Sequence, residues 1–264
     1  MTSDYRFLQI EYDNRVATVH LDKPPVNALD EELYVELLRL CEQLDADPQV
    51  GAVVFASRNP KMFIAGADIK DMQTYRFEEE WVNAKITRVH TVFNRLEDIT
   101  KPTLAAIEGY ALGGGCEFAL AMDFRFMARG KPRIGLPEIN IGIMPGGGGT
   151  QRLPRVVGYA KAMELMMTGV HLDADEAERI GLVTRACDSG KALSSAQEFA
   201  AMLAAQAPVA CSLIKQCMRK SAGLDREEGM RLEREHCLRA VLSADAREGI
   251  AAFVEKRKPG WSGK

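Results

Sequence analysis

Two glutamates and two runs of glycine are the features of this 264-residue sequence on which chemistry could be built. Glu117 stands three residues after Gly114, about one helical turn, in the otherwise apolar run Gly113-Gly-Gly-Cys-Glu-Phe-Ala-Leu-Ala. A charge on a buried stretch is costly unless it is used or paired, yet a glutamate at a helix start is also favoured by the helix dipole alone. Local sequence leaves both readings open. Glu138 lies in Gly135-Leu-Pro-Glu-Ile-Asn-Ile-Gly-Ile-Met-Pro-Gly, where its neighbours are more apolar than those of a solvated glutamate. If the two carboxylates face one dry pocket, burial and mutual repulsion raise at least one pKa well above the reference of about 4.3. One can then act as an acid while the other stays a base.

The glycine runs, Gly109-Tyr-Ala-Leu-Gly-Gly-Gly115 and Gly146-Gly-Gly-Gly149, lie at the starts of expected helices. Such positions leave free N–H groups that can point at a ligand, although glycine serves tight strand–helix packing equally well. Neither run has the spacing of a dinucleotide fingerprint or a phosphate loop. A third element, Phe63-Ile-Ala-Gly-Ala-Asp-Ile-Lys70, is a small-residue turn followed by a basic side chain. One N–H from this turn and one from the glycine-rich helix start would together cradle a carbonyl oxygen and stabilise an enolate.

The elements that must position these groups alternate in period. Val16 to Leu21 and Val50 to Ala56 read as strands, and between them Leu29, Leu33, Leu37, Leu40, Cys41 and Leu44 form one face of a helix. Val82, Ile86, Val89, Phe93 and Leu96 form a second stripe, Pro102 interrupts it, and Thr103 to Ile107 is the next buried strand. This is α/β alternation. Beyond Gly146 helix-forming residues dominate, and Asp225 to Leu242 and Asp245 to Glu255 are helices with an apolar side that must lie on something, such as another subunit.

Composition bounds the partners. The formal net charge is −3, so no global field draws the chain to nucleic acid or to an anionic membrane. Six scattered cysteines and four histidines suggest neither a zinc cage nor a disulfide framework, and a reducing, cytoplasmic setting fits. Met1 to Asp13 reads as neither a signal nor a transit peptide, and no apolar run is long enough to span a membrane.

Taken together, Ala65-Gly-Ala-Asp-Ile-Lys70, Gly109-Tyr-Ala-Leu-Gly-Gly-Gly-Cys-Glu117, Gly135-Leu-Pro-Glu138 and Pro145-Gly-Gly-Gly-Gly-Thr-Gln-Arg-Leu-Pro154 resemble the crotonase family, most closely its enoyl-CoA hydratases. The match runs from Pro24-Pro-Val-Asn-Ala-Leu29 to Phe253-Val-Glu-Lys-Arg-Lys-Pro-Gly-Trp261. The resemblance implies a ClpP-like spiral of β–β–α units over residues 1–200 and a helical trimerisation region over 201–264, assembled as a dimer of trimers. It implies an oxyanion hole from the N–H groups of Ala67 and Gly114, and acid–base work by Glu117 toward water and Glu138 as proton donor. The CoA thioester is expected along Val26, Ala28, Ala65, Asp68, Ile69, Lys70 and Gly113, with Lys256 near the nucleotide. Coenzyme A is then part of the substrate, and neither a separate cofactor nor a metal is called for.

Two departures from the family pattern bear on the site. Phe126-Met-Ala-Arg-Gly-Lys-Pro-Arg-Ile134 is longer than expected and is predicted to shift Glu138 slightly, and Leu136 stands where some hydratases have glutamine. Two other enzymatic readings compete: an enoyl-CoA isomerase, whose family members commonly lack the carboxylate matching Glu117, and a hydratase for a branched, aromatic or dicarboxylic acyl group. Met72 to Val89 is the expected acyl wall, where Phe77 and Trp81 read more readily as core than as substrate contacts. An RNA-binding reading would use Lys85, Arg88 and Arg95, but acidic residues flank them and a solvated helix face is the simpler account.

Overall fold

The computed structural model describes residues 5–66 and 76–264. Nine strands fall into two sheets among the described residues. The larger has the order β1 (Leu8–Asp13), β2 (Val16–Leu21), β3 (Ala52–Ser57), β5 (Thr103–Ile107), β7 (Phe124–Ala128) and β9 (Arg185–Cys187). Its first pair is antiparallel and the rest are parallel. The smaller sheet is wholly parallel and joins β4 (Met62–Ile64), β6 (Tyr110–Leu112) and β8 (Ile134–Gly135). Successive pairs, β3–β4, β5–β6 and β7–β8, therefore each place one strand in either sheet. The segment after each pair leads to a helix: α2 (Glu79–Glu97), α3 (Gly114–Ala121) and, past a 3-10 turn at Glu138–Ile141, α4 (Gly149–Val157). This is the spiral of β–β–α units that the motifs imply.

Each face of the large sheet buries a different kind of side chain. One face carries Val19, Leu21, Val53, Phe55, Ala105 and Ile107 into the main core with α1 (Glu31–Ala46), whose Leu33, Leu37, Leu40, Cys41 and Leu44 recur at helical spacing. Asp30 caps that helix by accepting from the Leu33 N–H, which satisfies a group no helical carbonyl can reach. The centre of this core is Phe118 on α3, with the rings of Phe55, Phe63 and Phe93 at 5.4, 6.0 and 6.0 Å and near-perpendicular tilts. The opposite face packs Val16, Val54, Ala56, Leu104 and Ala106 against the alanine stripe Ala192, Ala196, Ala200 and Ala204 of α7 (Ala192–Ala204). Residue 200 thus lies inside a helix that covers the sheet.

The sequence reading of the last third as mostly helical holds for α5 (Tyr159–Thr168), α6 (Ala174–Arg179), α8 (Pro208–Ser221), α9 (Arg226–Val241) and α10 (Ala244–Glu255), with β9 as the exception. On α8, α9 and α10 large apolar side chains remain exposed, Met218 at 72% and Phe253 at 86% among them. The alternation Leu8, Ile10, Tyr12 forms β1, an edge strand within the stretch Met1 to Asp13 to which the sequence assigned no element.

Candidate active site

The smaller sheet brings the chemistry together, because its three parallel strands each end at one piece of the site. Beyond β4 come Ala65 and Gly66, beyond β6 come Gly113 and Gly114, and beyond β8 comes Glu138. Leu112 pairs with Gly135, and the Gly113 N–H donates to the Gly135 carbonyl at 2.9 Å. Gly66, at φ +92°, passes so close to the third helix start that a Cβ there would stand 3.2 Å from the Gly114 nitrogen. Gly114 opens α3, so its N–H has no helical carbonyl one turn back and is available. Ala67, Asp68, Ile69, Lys70 and Met72 lie outside the described residues.

Glu117 is 3% exposed in the first turn of α3. Its Oε1 accepts from the N–H groups of Gly147 and Gly149, each at 2.7 Å. These are N–H groups of the second glycine run, so that run is aimed at the carboxylate itself. Glycine is required here by space: a Cβ on Gly147 would lie 2.7 Å from Glu117 Oε2 and 2.8 Å from the Phe93 ring. Burial pushes the Glu117 carboxyl above its usual range, while the two N–H bonds, Arg152 and His90 pull the other way.

Glu138 begins the 3-10 turn and is half-buried. Its Oε1 lies 3.0 Å from where a Cβ on Gly113 would be, and its Oε2 is buried without a hydrogen-bond partner. Burial, with the charge of Glu117 adding to it, raises this carboxyl to about 7. The two carboxyls thus differ in their surroundings: burial raises both, but Glu117 is held by two backbone donors that oppose the rise, while Oε2 of Glu138 has no such donor among the described residues.

The turn at 26–28, beside Ala65 and Gly66, is built around Asn27. Its side chain donates to the Phe63 carbonyl at 2.9 Å and to Ser57 Oγ at 2.7 Å, and accepts from the Lys23 N–H. The Ala65 N–H donates to Val26 and the Leu29 N–H to Gly66, so Val26, Ala28 and Ala65 form one surface beside Gly113 and Gly114. Lys256 is exposed at the end of α10, and the tail after it folds back, with Trp261 Nε1 donating to Ala205 and the Ser262 N–H to Asp245. None of these contacts brings Lys256 to the turn within one chain.

In the described part of the segment expected as the acyl wall, Phe77 and Trp81 depart from the core expectation. Phe77 is 96% exposed, Trp81 is half-buried with Lys85 over its ring, and the buried residues of α2 are confined to Val92, Phe93 and Leu96. The basic residues of this helix are occupied locally: Arg88 pairs with Glu31 and Arg95 with Asp45. Arg152 was missed by sequence reasoning, although the Gly-Gly-Thr-Gln-Arg spacing places it one turn beyond the run that holds Glu117. Among the described residues no group of three or more His, Cys, Asp or Glu could hold a metal ion, and no helix is long and apolar enough to cross a membrane.

A twin-sheet spiral with paired carboxylates beside a glycine-opened helix defines a crotonase-type protein. The model of the enoyl-CoA hydratase/isomerase family matches residues 11–264, and the chain belongs to that family. It is 41% identical over 255 residues to a probable enoyl-CoA hydratase of Rhizobium meliloti, covering 96% of this chain and 97% of that one. It is 36% identical to a short-chain-enoyl-CoA hydratase of Clostridium acetobutylicum, over 94% and 95% of the two chains. The crystal structure of an enoyl-CoA hydratase from Geobacillus kaustophilus superposes with a TM-score of 0.93 at 33% identity, covering 99% and 98%.

Proposed function

We propose that this protein is an enoyl-CoA hydratase, a lyase that reversibly adds water across the 2,3 double bond of a 2-enoyl-CoA to give a 3-hydroxyacyl-CoA. The observation that carries the reading is the opposite endowment of two facing carboxylates. Glu117 Oε1 is fixed by two N–H groups, and Glu138, raised to about 7, has an oxygen with no partner.

Water held between them loses a proton to Glu117 as its oxygen bonds to C3 of the enoyl group. The electrons of the double bond move toward the thioester carbonyl, and the resulting enolate oxygen is held by the N–H groups of Gly114 and Ala67. Glu138 then delivers its proton to C2, and the proton gained by Glu117 passes to Glu138, which restores the ionised base and the protonated acid before the next turnover. Val26, Ala28, Ala65, Asp68, Ile69, Lys70 and Gly113 carry the CoA thioester, and the reaction needs no other cofactor. An isomerase reading would leave the buried, doubly held Glu117 without a task.

The exposed apolar residues on α8, α9 and α10 support assembly through these helices into a hexamer of two trimers, with Lys256 near the nucleotide of a bound CoA. The formal charge of −3 and the absence of a membrane-length helix among the described residues fit a cytoplasmic role in fatty-acid or related acyl-CoA degradation. The test is loss of enone absorbance with crotonyl-CoA and a panel of longer and branched enoyl-CoA esters. Failure to form 3-hydroxyacyl product from any of them would overturn the proposal, and mass photometry tests the hexamer.

A further inference from the structure

Behind Glu117 lies a chain of charged side chains that the hydration chemistry does not itself use. Arg152, on α4, is buried, and its guanidinium is fully engaged: Nη1 donates to the Gly147 carbonyl at 2.9 Å, Nη2 to Asn94 Oδ1 at 2.7 Å, and Nε to Glu97 Oε2 at 2.7 Å. Gly147 is thereby held at both ends, by Arg152 at its carbonyl and by Glu117 at its N–H. Glu97 also pairs with Arg219 of α8, which is bonded to Asp123 at 2.7 and 3.1 Å, and Asp123 accepts Lys215 at 2.9 Å. A continuous path of fixed groups runs from the carboxylate at the reacting centre to a helix of the C-terminal region. A planar guanidinium can hold three differently directed acceptors in this way, whereas a lysine ammonium cannot reproduce that geometry.

We propose that Arg152 is a positioning residue for Glu117: it clamps the Gly147–Gly149 loop whose N–H groups orient Oε1, and through Glu97 and Arg219 it anchors that loop to α8. The inference rests on Glu117 being the base of the proposed hydration. The charged and titratable groups that face Glu117 are Arg152 from α4, His90 from α2 and Glu138 from the 3-10 turn, with Cys116 adjacent on its own helix. Of these Arg152 is the fixed cation, so it also favours the ionised base.

The experiment is steady-state hydration of crotonyl-CoA by Arg152→Ala, Arg152→Lys, Asn94→Ala and Glu117→Gln, each over a pH range and with thermal melting as a check on folding. Arg152→Ala is expected to lower kcat roughly tenfold to a hundredfold, as for a misplaced reacting group, with KM little changed. The acid limb of its kcat/KM profile should move to higher pH, and guanidinium ion should restore part of kcat. Arg152→Lys, which keeps the charge but not the fork, should lower kcat and leave that limb in place. A folded Arg152→Ala with near-normal kcat and an unmoved acid limb would overturn the inference, as would loss of kcat with an unmoved limb and no rescue. If neither Arg152 variant folds, Asn94→Ala decides: a lower kcat at constant KM supports the clamp, and an unchanged kcat refutes it. Full activity in Glu117→Gln would instead overturn the catalytic reading on which the clamp depends.

Discussion

Glu117 lies near enough to Glu138 for its charge to raise the Glu138 carboxyl, and the two have unequal support: one oxygen of Glu117 carries two backbone N–H bonds, whereas among the described residues a buried oxygen of Glu138 carries none. That asymmetry supports the proposed division of roles, since hydrogen bonds to a carboxylate favour its ionised form and burial favours the acid.

Replacing either carboxylate by its amide should remove the proton-transfer chemistry without altering shape. Glu117→Gln and Glu138→Gln are each expected to lose roughly a hundredfold to ten-thousandfold in hydration of crotonyl-CoA, with unchanged circular dichroism. Assay by enone absorbance checks this, and a fully active variant would show that the pair is not the acid–base couple.

The rate of hydration should follow a bell-shaped pH curve. Glu138, at about 7, loses its transferable proton as pH rises through that value, and the alkaline limb belongs to it. The acid limb belongs to Glu117, also displaced upward. In Glu138→Gln the residual activity should lose the alkaline limb and keep the acid one.

Stability should respond to the same group in the direction set by its raised pKa. Protonated Glu138 stabilises the fold fully at pH values below the ordinary carboxylate range, and this contribution disappears as pH rises through about 7. Glu138→Gln is therefore expected to melt higher than the natural protein at pH 8, by roughly 1–2 kcal/mol in unfolding free energy once solvent screening of this partly exposed group is allowed for. At pH 4 the difference should vanish. A gain equal at both pH values would show that charge burial is not its source.

Two glycines near the site should fail in different ways. A Cβ on Gly147 meets only side-chain atoms, Glu117 Oε2 and the Phe93 ring, so Gly147→Ala should fold and lose most activity. A Cβ on Gly115 would lie 2.1 Å from the Ile64 carbonyl oxygen, a backbone atom, so Gly115→Ala should cost about 2–3 kcal/mol by forcing α3 away from β4. Denaturant melts beside activity assays separate the two outcomes.

Truncating the aromatic centre tests how far the core supports the site. Phe118 is fully buried among three other rings and adjoins Glu117 in sequence. Phe118→Ala is expected to destabilise by about 3–5 kcal/mol, read as a lower urea midpoint.

Strong local periodicity made much of this architecture legible. The strands Val16–Leu21 and Thr103–Ile107 match the observed bounds, because buried parallel strands are unbroken runs of β-branched and small residues. β1 was not legible as a strand: five of its six residues are not buried, and a polar edge resembles a loop. At the site, the two glutamates stood out because carboxylates among apolar neighbours need a reason. What spacing could not supply was the partner of each. The glycine run at 146–149 signals free N–H groups, but only the fold reveals that they face Glu117 across thirty residues of chain. Arg152 escaped notice because a single arginine on a short helix resembles any solvated cation until its three acceptors are seen. Phe77 and Trp81 read as core because aromatics usually are, yet the helix that bears Trp81 projects its first turns away from the sheet.

The small sheet also holds the chain just after the long segment before Ile134. Ala111 donates to the Arg133 carbonyl, Gly113 to that of Gly135, and Ile134 exchanges both backbone bonds with Leu172. Register is thus set after the variable stretch and before Glu138. The acid at position 138 is thus moored to the small sheet by backbone pairings only a few residues ahead of it, with the β6 end at Gly113 as its nearest fixed point.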